Sequence, residues 1–423
     1  MARRALVLVI VLAGCGKQLN PEFCARNPDD QDCRASDYVA VDAPKGCQSN
    51  ADCMGDPMRG VCEVSSGQCE QCVPDVDTSA CTGSTTICGD DRTCHGCITD
   101  MDCPGSNACM PSGDCADAAN VLYVAPHGTG TCDLGSPCSL PMAIEQLTAI
   151  RNIIKLTTMQ GTTYDADPKL LLDKAQKVIV LGIGATFTPT NDGAAISVTA
   201  GDVSIDGLTV TGAKGGMSDG IACTGATLSL RRVTSSANGE HGIKTTTCTL
   251  TIERSRFSRN PRGGMLLTGG TLEARNNIID ANGSTTLKNG NVELATVSGR
   301  FVFNTVADNQ SEQGGGGRTG GVKCSKAGTF LVAHNIIVDN GGANAATSGD
   351  CTIVDNFVGN DSAAVKFAAG YHLSAATPVT NPIIRDDPNA DADCKVNGEY
   401  IDDFDGQPRP YQLCDRGADE YRP

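Results

Sequence analysis

Tryptophan is absent from the 423-residue sequence, and all aromatics together make up only 4% of it. This is not an ordinary enzyme composition, and it limits any sugar recognition by ring stacking to modest strength. Basic residues are also in deficit, 33 against 49 acidic ones, for a formal charge of −16. Nucleic acids and anionic membrane surfaces both require a basic face, so neither is an expected partner. Beyond Leu12 no apolar run approaches the roughly 20 residues that a membrane-spanning helix needs. Glycine, by contrast, is in excess, 49 residues or about 12% where roughly 7% is usual. It implies recurrent turns and close backbone approaches rather than long helices. The 23 cysteines imply an oxidising compartment.

The start of the chain supplies the route to that compartment. Met1-Ala2-Arg3-Arg4 is a basic opening, and Ala5 to Leu12 is an apolar run too short to span a bilayer. Leu12-Ala13-Gly14-Cys15 closes the run and resembles the lipobox of bacterial lipoproteins. The resemblance implies that residues 1–14 are a signal peptide and that Cys15 becomes a lipidated N-terminus, held to the membrane by several acyl chains. Gly16 follows where an acidic residue would imply retention at the inner membrane, so the expected location is the outer membrane, periplasmic or surface-exposed. The alternative is an ordinary secretory signal followed by a chance cysteine.

Setting Cys15 aside leaves 22 of the 23 cysteines, an even number that suits complete pairing. Cys24 and Cys33 fall in a lipidated linker, residues 15–46. Residues 47–115 then hold three units opened by Cys47, Cys72 and Cys97, spaced 25 and 25 apart. The units read Cys47/Cys53/Cys62/Cys69, Cys72/Cys81/Cys88/Cys94 and Cys97/Cys103/Cys109/Cys115. Each implies two bridges, because such short Gly- and Asp-rich stretches have almost no apolar residues to bury. The order of pairing within a unit is not legible. This segment is similar to the cysteine-rich repeats of secreted proteins, including the Dickkopf N-terminal type. Cys69-x2-Cys72 and Cys94-His95-Gly96-Cys97 also have the spacing of zinc ligands, but export and an even count favour disulfides.

Residues 121–370 read as a second domain. Leu122 to Val124 is a short apolar strand, followed by a glycine turn and a stretch in which Ile144, Leu147, Ile150 and Ile154 fit one helical face. A strand, a turn and one amphipathic helix ahead of many short strands resemble the start of right-handed parallel β-helix proteins, where such a helix plugs the open end. The expected fold is therefore all-β, a parallel β-helix solenoid with one N-terminal capping helix, preceded by the small disulfide-rich domain. Rungs align directly: Leu228, Leu250 and Leu272 are 22 and 22 residues apart, and Leu228–Asn238, Leu250–Asn260, Leu272–Asn282 and Phe330–Asn340 all span ten. A second strand follows a glycine in Gly220-Ile221, Gly242-Ile243, Gly264-Met265 and Gly321-Val322. Asn277, Asn304 and Asn335 precede Asn282, Asn309 and Asn340 by five, which predicts stacked asparagine ladders, with Asn itself taking the left-handed backbone of the turn. Arg231, Glu253 and Arg275 share an outward column and read as an ion ladder. Cys132 with Cys138 is expected to staple the N-terminal start, and Cys223 with Cys248 and Cys324 with Cys351 to bridge neighbouring rungs.

In the C-terminal segment, residues 371–423, Tyr371-His372-Leu373-Ser374, Asn381-Pro382-Ile383, Asp403-Phe404-Asp405-Gly406-Gln407-Pro408-Arg409-Pro410 and Asp415-Arg416-Gly417-Ala418-Asp419-Glu420-Tyr421 resemble the end of choice-of-anchor Q proteins. These are surface proteins built on a right-handed β-helix, and the resemblance implies a C-terminal cap clamped by Cys394 and Cys414 but transfers no reaction. Asp387, Asn389, Asp391 and Asp393 imitate an alternating calcium loop, though the glycine and final Glu of that motif are misplaced. No other cofactor and no metal is expected, and the sequence leaves the oligomeric state open.

Two function classes fit. One is a lipid-anchored surface module whose flat polar wall binds glycans; the membrane is reached through the lipid on Cys15. The other is a polysaccharide lyase, hydrolase or epimerase acting along one outer sheet. Its best candidates are Asp219 and His241, each two residues before an Ile that opens a strand, with Lys244 nearby. A carboxylate orienting a histidine beside an ammonium would form a proton-abstracting group. Asp-Gly and His-Gly are equally ordinary turn pairs. His241-Gly242 also echoes the polygalacturonase glycine-histidine-glycine signature, with Glu240 in place of its first glycine and without its paired aspartates.

Overall fold

The computed structural model describes residues 46–54, 59–74, 76–79, 81, 85, 87–157, 163–164, 170–173, 176–190, 192–286, 291–311, 320–325, 329–341, 350–379, 384–390, 394–396, 399–410 and 413–422. Cys15, Cys24 and Cys33 lie outside the described residues, as do Asp391 and Asp393 of the imitated calcium loop. The chain divides into two compact units, residues 1–82 with 87–95 and residues 83–86 with 96–423.

The smaller unit carries the first two cysteine repeats. In each, the first cysteine pairs with the third and the second with the fourth: Cys47–Cys62 and Cys53–Cys69, then Cys72–Cys88 and Cys81–Cys94. Strand pairs such as Val61–Glu63 with Gln68–Glu70 are three residues long, and the buried cluster beside them consists of Cys47, Cys53, Cys62 and Cys69. Sulfur is the core here, as so small an apolar content requires. The Cys-x2-Cys spacing thus links successive repeats, with its two cysteines in different bridges.

The larger unit begins with the third repeat, paired in the same order by Cys97–Cys109 and Cys103–Cys115. Ala108 packs with Val121, Tyr123, Ile153 and Leu181, Tyr123 Oη donates to the Ser106 carbonyl, and the nearly buried Lys155 ammonium meets Asp100. The repeat therefore lies against the β-helix, joined to it by apolar contact and a shielded ion pair.

Three sheets wind around one apolar interior. Sheet A has seven strands, from Leu170–Leu172 through Ile196–Val198, Ile221–Thr224, His241–Thr246, Gly263–Thr268 and Val292–Ala295 to Val322–Ser325. Among the described residues sheet B has twelve strands and sheet C nine, and neighbours in each pair in parallel register except Thr129–Asp133 against Ser136–Cys138. Alternation places every second side chain inward. Val180, Ile205, Leu230, Ile252, Ala274, Phe301 and Val332 stack in this way, one per rung, and all are buried.

Two asparagine ladders run up the corners. Asn238 Nδ2 donates to Asn260 Oδ1 at 3.0 Å, and the chain of contacts continues through Asn282 and Asn309 to Asn340. The second joins Asn277, Asn304, Asn335 and Asn356. Left-handed backbone, expected on the asparagines, sits one residue earlier in the first ladder, on Ala237, Arg259, Ala281, Asp308 and Asp339. That corner turns the following amide inward, where it bonds the next rung. A non-glycine residue in this conformation costs about 1–2 kcal/mol, which the buried amide bonds offset. Gly220, Gly242 and Gly264 answer to the same ladder: a Cβ on Gly242 would lie 2.8 Å from Asn260 Nδ2 and 2.7 Å from the Gly264 carbonyl.

The expected disulfides Cys132–Cys138, Cys223–Cys248, Cys324–Cys351 and Cys394–Cys414 all form. The expected ion ladder forms in part: Arg275 Nη2 lies 2.5 Å from Glu253, whereas Arg231 donates to the Pro111 carbonyl of the third repeat. The N-terminal helix is shorter than its apolar spacing predicts. It covers Leu140–Glu145 and buries Leu140 and Ala143; Ile150 is exposed and Ile154 belongs to the strand Ile153–Leu156. Ile154 is a core residue of that strand, so its spacing from Ile144 and Leu147 does not mark a helix face.

The C-terminal segment, expected to cap the end, lies along the side wall. Leu373 and Ile384, with Val365 just before the segment, pack on Ala307, Ile336 and Val338 of sheet C, and Ala390, Cys394, Ile401 and Cys414 pack on Val302, Phe303 and Ala333. Arg409 ties it down. Its fully buried guanidinium donates to the Asp415 and Gly417 carbonyls at 2.8 Å each, to Glu420 at 3.3 Å and to Asn276 Oδ1 at 3.2 Å, and it lies over the Phe303 ring. In the imitated calcium loop, Asp387 is occupied by Arg416 at 2.6 Å and by the Asn389 amide at 3.1 Å.

Candidate functional site

Sheet A presents an outer wall with its own columns. Ser197, Ala222, Lys244, Leu266, Glu293 and Lys323 form one, and Thr224, Thr246, Thr268, Ala295 and Ser325 form the next. The three threonines are exposed. Strand pairing in a parallel sheet repeats about every 4.8 Å, so a hydroxyl recurs on the wall at that interval for three rungs.

Asp219 and His241 stack one rung apart at the corner leading into this wall, as the sequence column predicts. Asp219 Oδ1 accepts from the His241 backbone amide at 3.1 Å and lies 2.8 Å from His241 Nδ1. Lys244, the fourth residue of the strand His241–Thr246, brings its Nζ to 4.0 Å from Asp219 Oδ2. Asp219 is 3% exposed at its side chain, His241 11% and Lys244 39%, so the pair is shielded and the ammonium faces water. One carboxylate thus meets the His241 amide and ring at hydrogen-bond distance and Lys244 at ion-pair distance.

A depression of about 420 Å³ opens beside this group, lined by Gly193, Ala194, Ser197, Met217, Asp219, Ala222, Cys223, Thr224, Lys244 and Thr246. Most of the lining residues are small, Met217 among them is exposed, and Asp219 and Lys244 supply charge. His241 is not among the lining residues. The depression escaped sequence reading because Met217 and Gly193 enter it from loops, whereas Ser197 and Thr246 were discoverable from their alignment columns. Glu240 was also missed as a neighbour: its carboxylate falls within 4.8 Å of Asp219 and His241 and pairs with Arg262 at 3.6 Å.

Chemically, the arrangement offers hydroxyls, one cation and one paired carboxylate around a depression whose lining is largely apolar. Asp219 and His241 have the geometry of an orienting acid and its imidazole, but the same two bonds lock the corner between rungs.

Among known proteins, no curated sequence matches this chain. A crystal structure of pectate lyase Pel9A is similar over 69% of this chain and 88% of that one, at 16% identity and a TM-score of 0.44. Residues 191–358, the rungs that carry Asp219, His241 and Lys244, match the family model of the right-handed β-helix region.

Proposed function

We propose that this is a lipid-anchored cell-envelope protein whose β-helix serves as a binding or adhesion module for glycans, with the depression on sheet A as the contact site. The observation that carries the reading is the union of that depression with the threonine column. Ser197, Asp219, Thr224, Lys244 and Thr246 give donors and acceptors on one shallow surface, and Thr268 extends the row. A polyol chain is recognised by many such contacts, each weak and summed along its length. Lys244 is offset by Asp219 at 4.0 Å, and the whole chain carries −16, so a neutral or mixed glycan suits the wall better than a polyuronate.

Anchoring rests on the lipobox-like Leu12-Ala13-Gly14-Cys15, and Gly16 after it supports the outer membrane. Bridges on all described cysteines suit an oxidising compartment, and no helix among the described residues is long and apolar enough to cross a membrane. The surface role agrees with the resemblance of the C-terminal segment to choice-of-anchor Q proteins. Replacing Cys15 by Ser should release the protein from membranes; persistent association of that variant in high salt would contradict the anchor. For the wall, glycan retention by wild type should weaken in Lys244→Ala and Thr246→Val, and unchanged retention in both would contradict the site.

A second reading, a polysaccharide lyase, hydrolase or epimerase, is favoured by one observation, the 2.8 Å contact of His241 Nδ1 with Asp219. Its weakness is that His241 is not part of the depression's lining.

A further inference from the structure

The C-terminal segment gathers a second imidazole–carboxylate group, far in sequence from the sheet A site. His372 Nδ1 lies 3.2 Å from Asp405 Oδ2 and 3.2 Å from Asp419 Oδ1, and the three donor atoms all fall within 4.8 Å of one another. They come from three stretches of chain that the fold brings together. Asp419 is nearly buried and its other oxygen accepts from the Leu373 amide at 2.6 Å, which fixes the carboxylate's direction. His372 sits edge-on to Phe404, with ring centroids 6.3 Å apart, and both it and Asp405 remain partly open to water.

We infer that His372, Asp405 and Asp419 form a binding site for a divalent transition-metal ion of the zinc class. A nitrogen proton on one imidazole edge serves one carboxylate well, and here two carboxylates converge on the same nitrogen. A divalent cation satisfies all three at once. A tetrahedral ion with bonds of about 2.0 Å holds its donors about 3.3 Å apart, close to both 3.2 Å separations. An imidazole donor selects zinc-like ions over calcium and magnesium, which take oxygen ligands. Water from the open side completes the fourth position.

The other mixed group, Asp219, Glu240 and His241, already has cationic partners on both carboxylates. Lys244 sits 4.0 Å from Asp219, and Glu240 is taken by Arg262 at 3.6 Å. The cysteine groups are closed as disulfides.

The test is calorimetric titration of the full chain, stripped of metal and kept in detergent, with Zn2+, Ca2+ and Mg2+, alongside thermal melting. One Zn2+ per chain is expected, with Ca2+ and Mg2+ at least tenfold weaker and a rise in Tm on Zn2+ addition. Asp405→Asn, a conservative change at a half-exposed position, and His372→Ala should each weaken Zn2+ at least tenfold and abolish the rise, while His241→Ala leaves both intact. No Zn2+ binding by wild type, binding that survives Asp405→Asn and His372→Ala, or loss in His241→Ala alone would each overturn the assignment.

Discussion

Arg409 and Asn276 are 133 residues apart and share a hydrogen bond of 3.2 Å in a place closed to water. The bond fastens the C-terminal segment to the corner of a rung, and the same guanidinium also holds Glu420 and two carbonyls of its own segment. Arg409→Met should therefore take the charged donor away from Glu420 and the guanidinium donors away from the Asp415 and Gly417 carbonyls. Removing one member of a buried pair costs about 3–5 kcal/mol. Limited proteolysis is expected to release fragments from residues 371–423 while the β-helix stays resistant; an unchanged digestion pattern would show that Arg409 does not hold the segment.

The same group gives the segment a pH dependence. Burial, reinforced by the Glu420 carboxylate, pushes Asp415 up to about 7 from 3.8, against the opposing pull of the Tyr421 and Asp386 amides and Arg409. A carboxyl with a raised folded value binds more protons folded than unfolded, so its stabilising contribution is full below about 3.8 and declines as pH rises to about 7. Protease resistance of the segment should fall between pH 5 and pH 8, and Asp415→Asn should flatten that fall. An increase in resistance over the same range in wild type would contradict the assignment.

The rungs were legible because parallel stacking repeats one backbone at a fixed interval, so Leu228, Leu250 and Leu272 announce the period and Asn277, Asn304 and Asn335 the corner. Asp219 above His241 was legible for the same reason. The left-handed position was misplaced by one residue, since Asn in a turn is ambiguous between adopting the strained backbone and being aimed inward by it. Ile150 and Ile154 misled because a strand residue after a short helix falls by chance at helical spacing. The side-wall course of the last segment was not legible at all: Arg409 finds its partner on a distant rung, and no local pattern encodes that distance. The pairing order of the cysteine repeats was hidden likewise, because four cysteines permit three arrangements.

Asn304 tests the ladder. Its Nδ2 donates to Asn335 Oδ1 at 3.1 Å and to the Ala274 and Val302 carbonyls, and its Oδ1 accepts from the Asn277 side chain and backbone. Asn304→Ala leaves several buried groups unpaired, each worth about 1–3 kcal/mol, and Asn304→Asp adds a buried charge in place of the donor. Tm should fall for Ala and fall further for Asp; equal or higher values would remove the ladder's structural role.

Ten disulfides join the twenty cysteines from Cys47 to Cys414. With Cys24 and Cys33 paired as well, thiol titration of the denatured, unreduced mature protein should read near zero. Two or more thiols per chain would reopen the question of what those cysteines bind.

Incubation of purified protein with pectate, alginate, glycosaminoglycans and neutral glycans, followed for both retention and cleavage, bears most directly on the role of the sheet A wall. The expected result is weak retention of neutral or mixed chains, reduced in Lys244→Ala, with neither unsaturated-product absorbance nor new reducing ends from any substrate. Turnover of any of these polymers that disappears in His241→Ala would contradict it and establish Asp219 and His241 as the working parts of an enzyme.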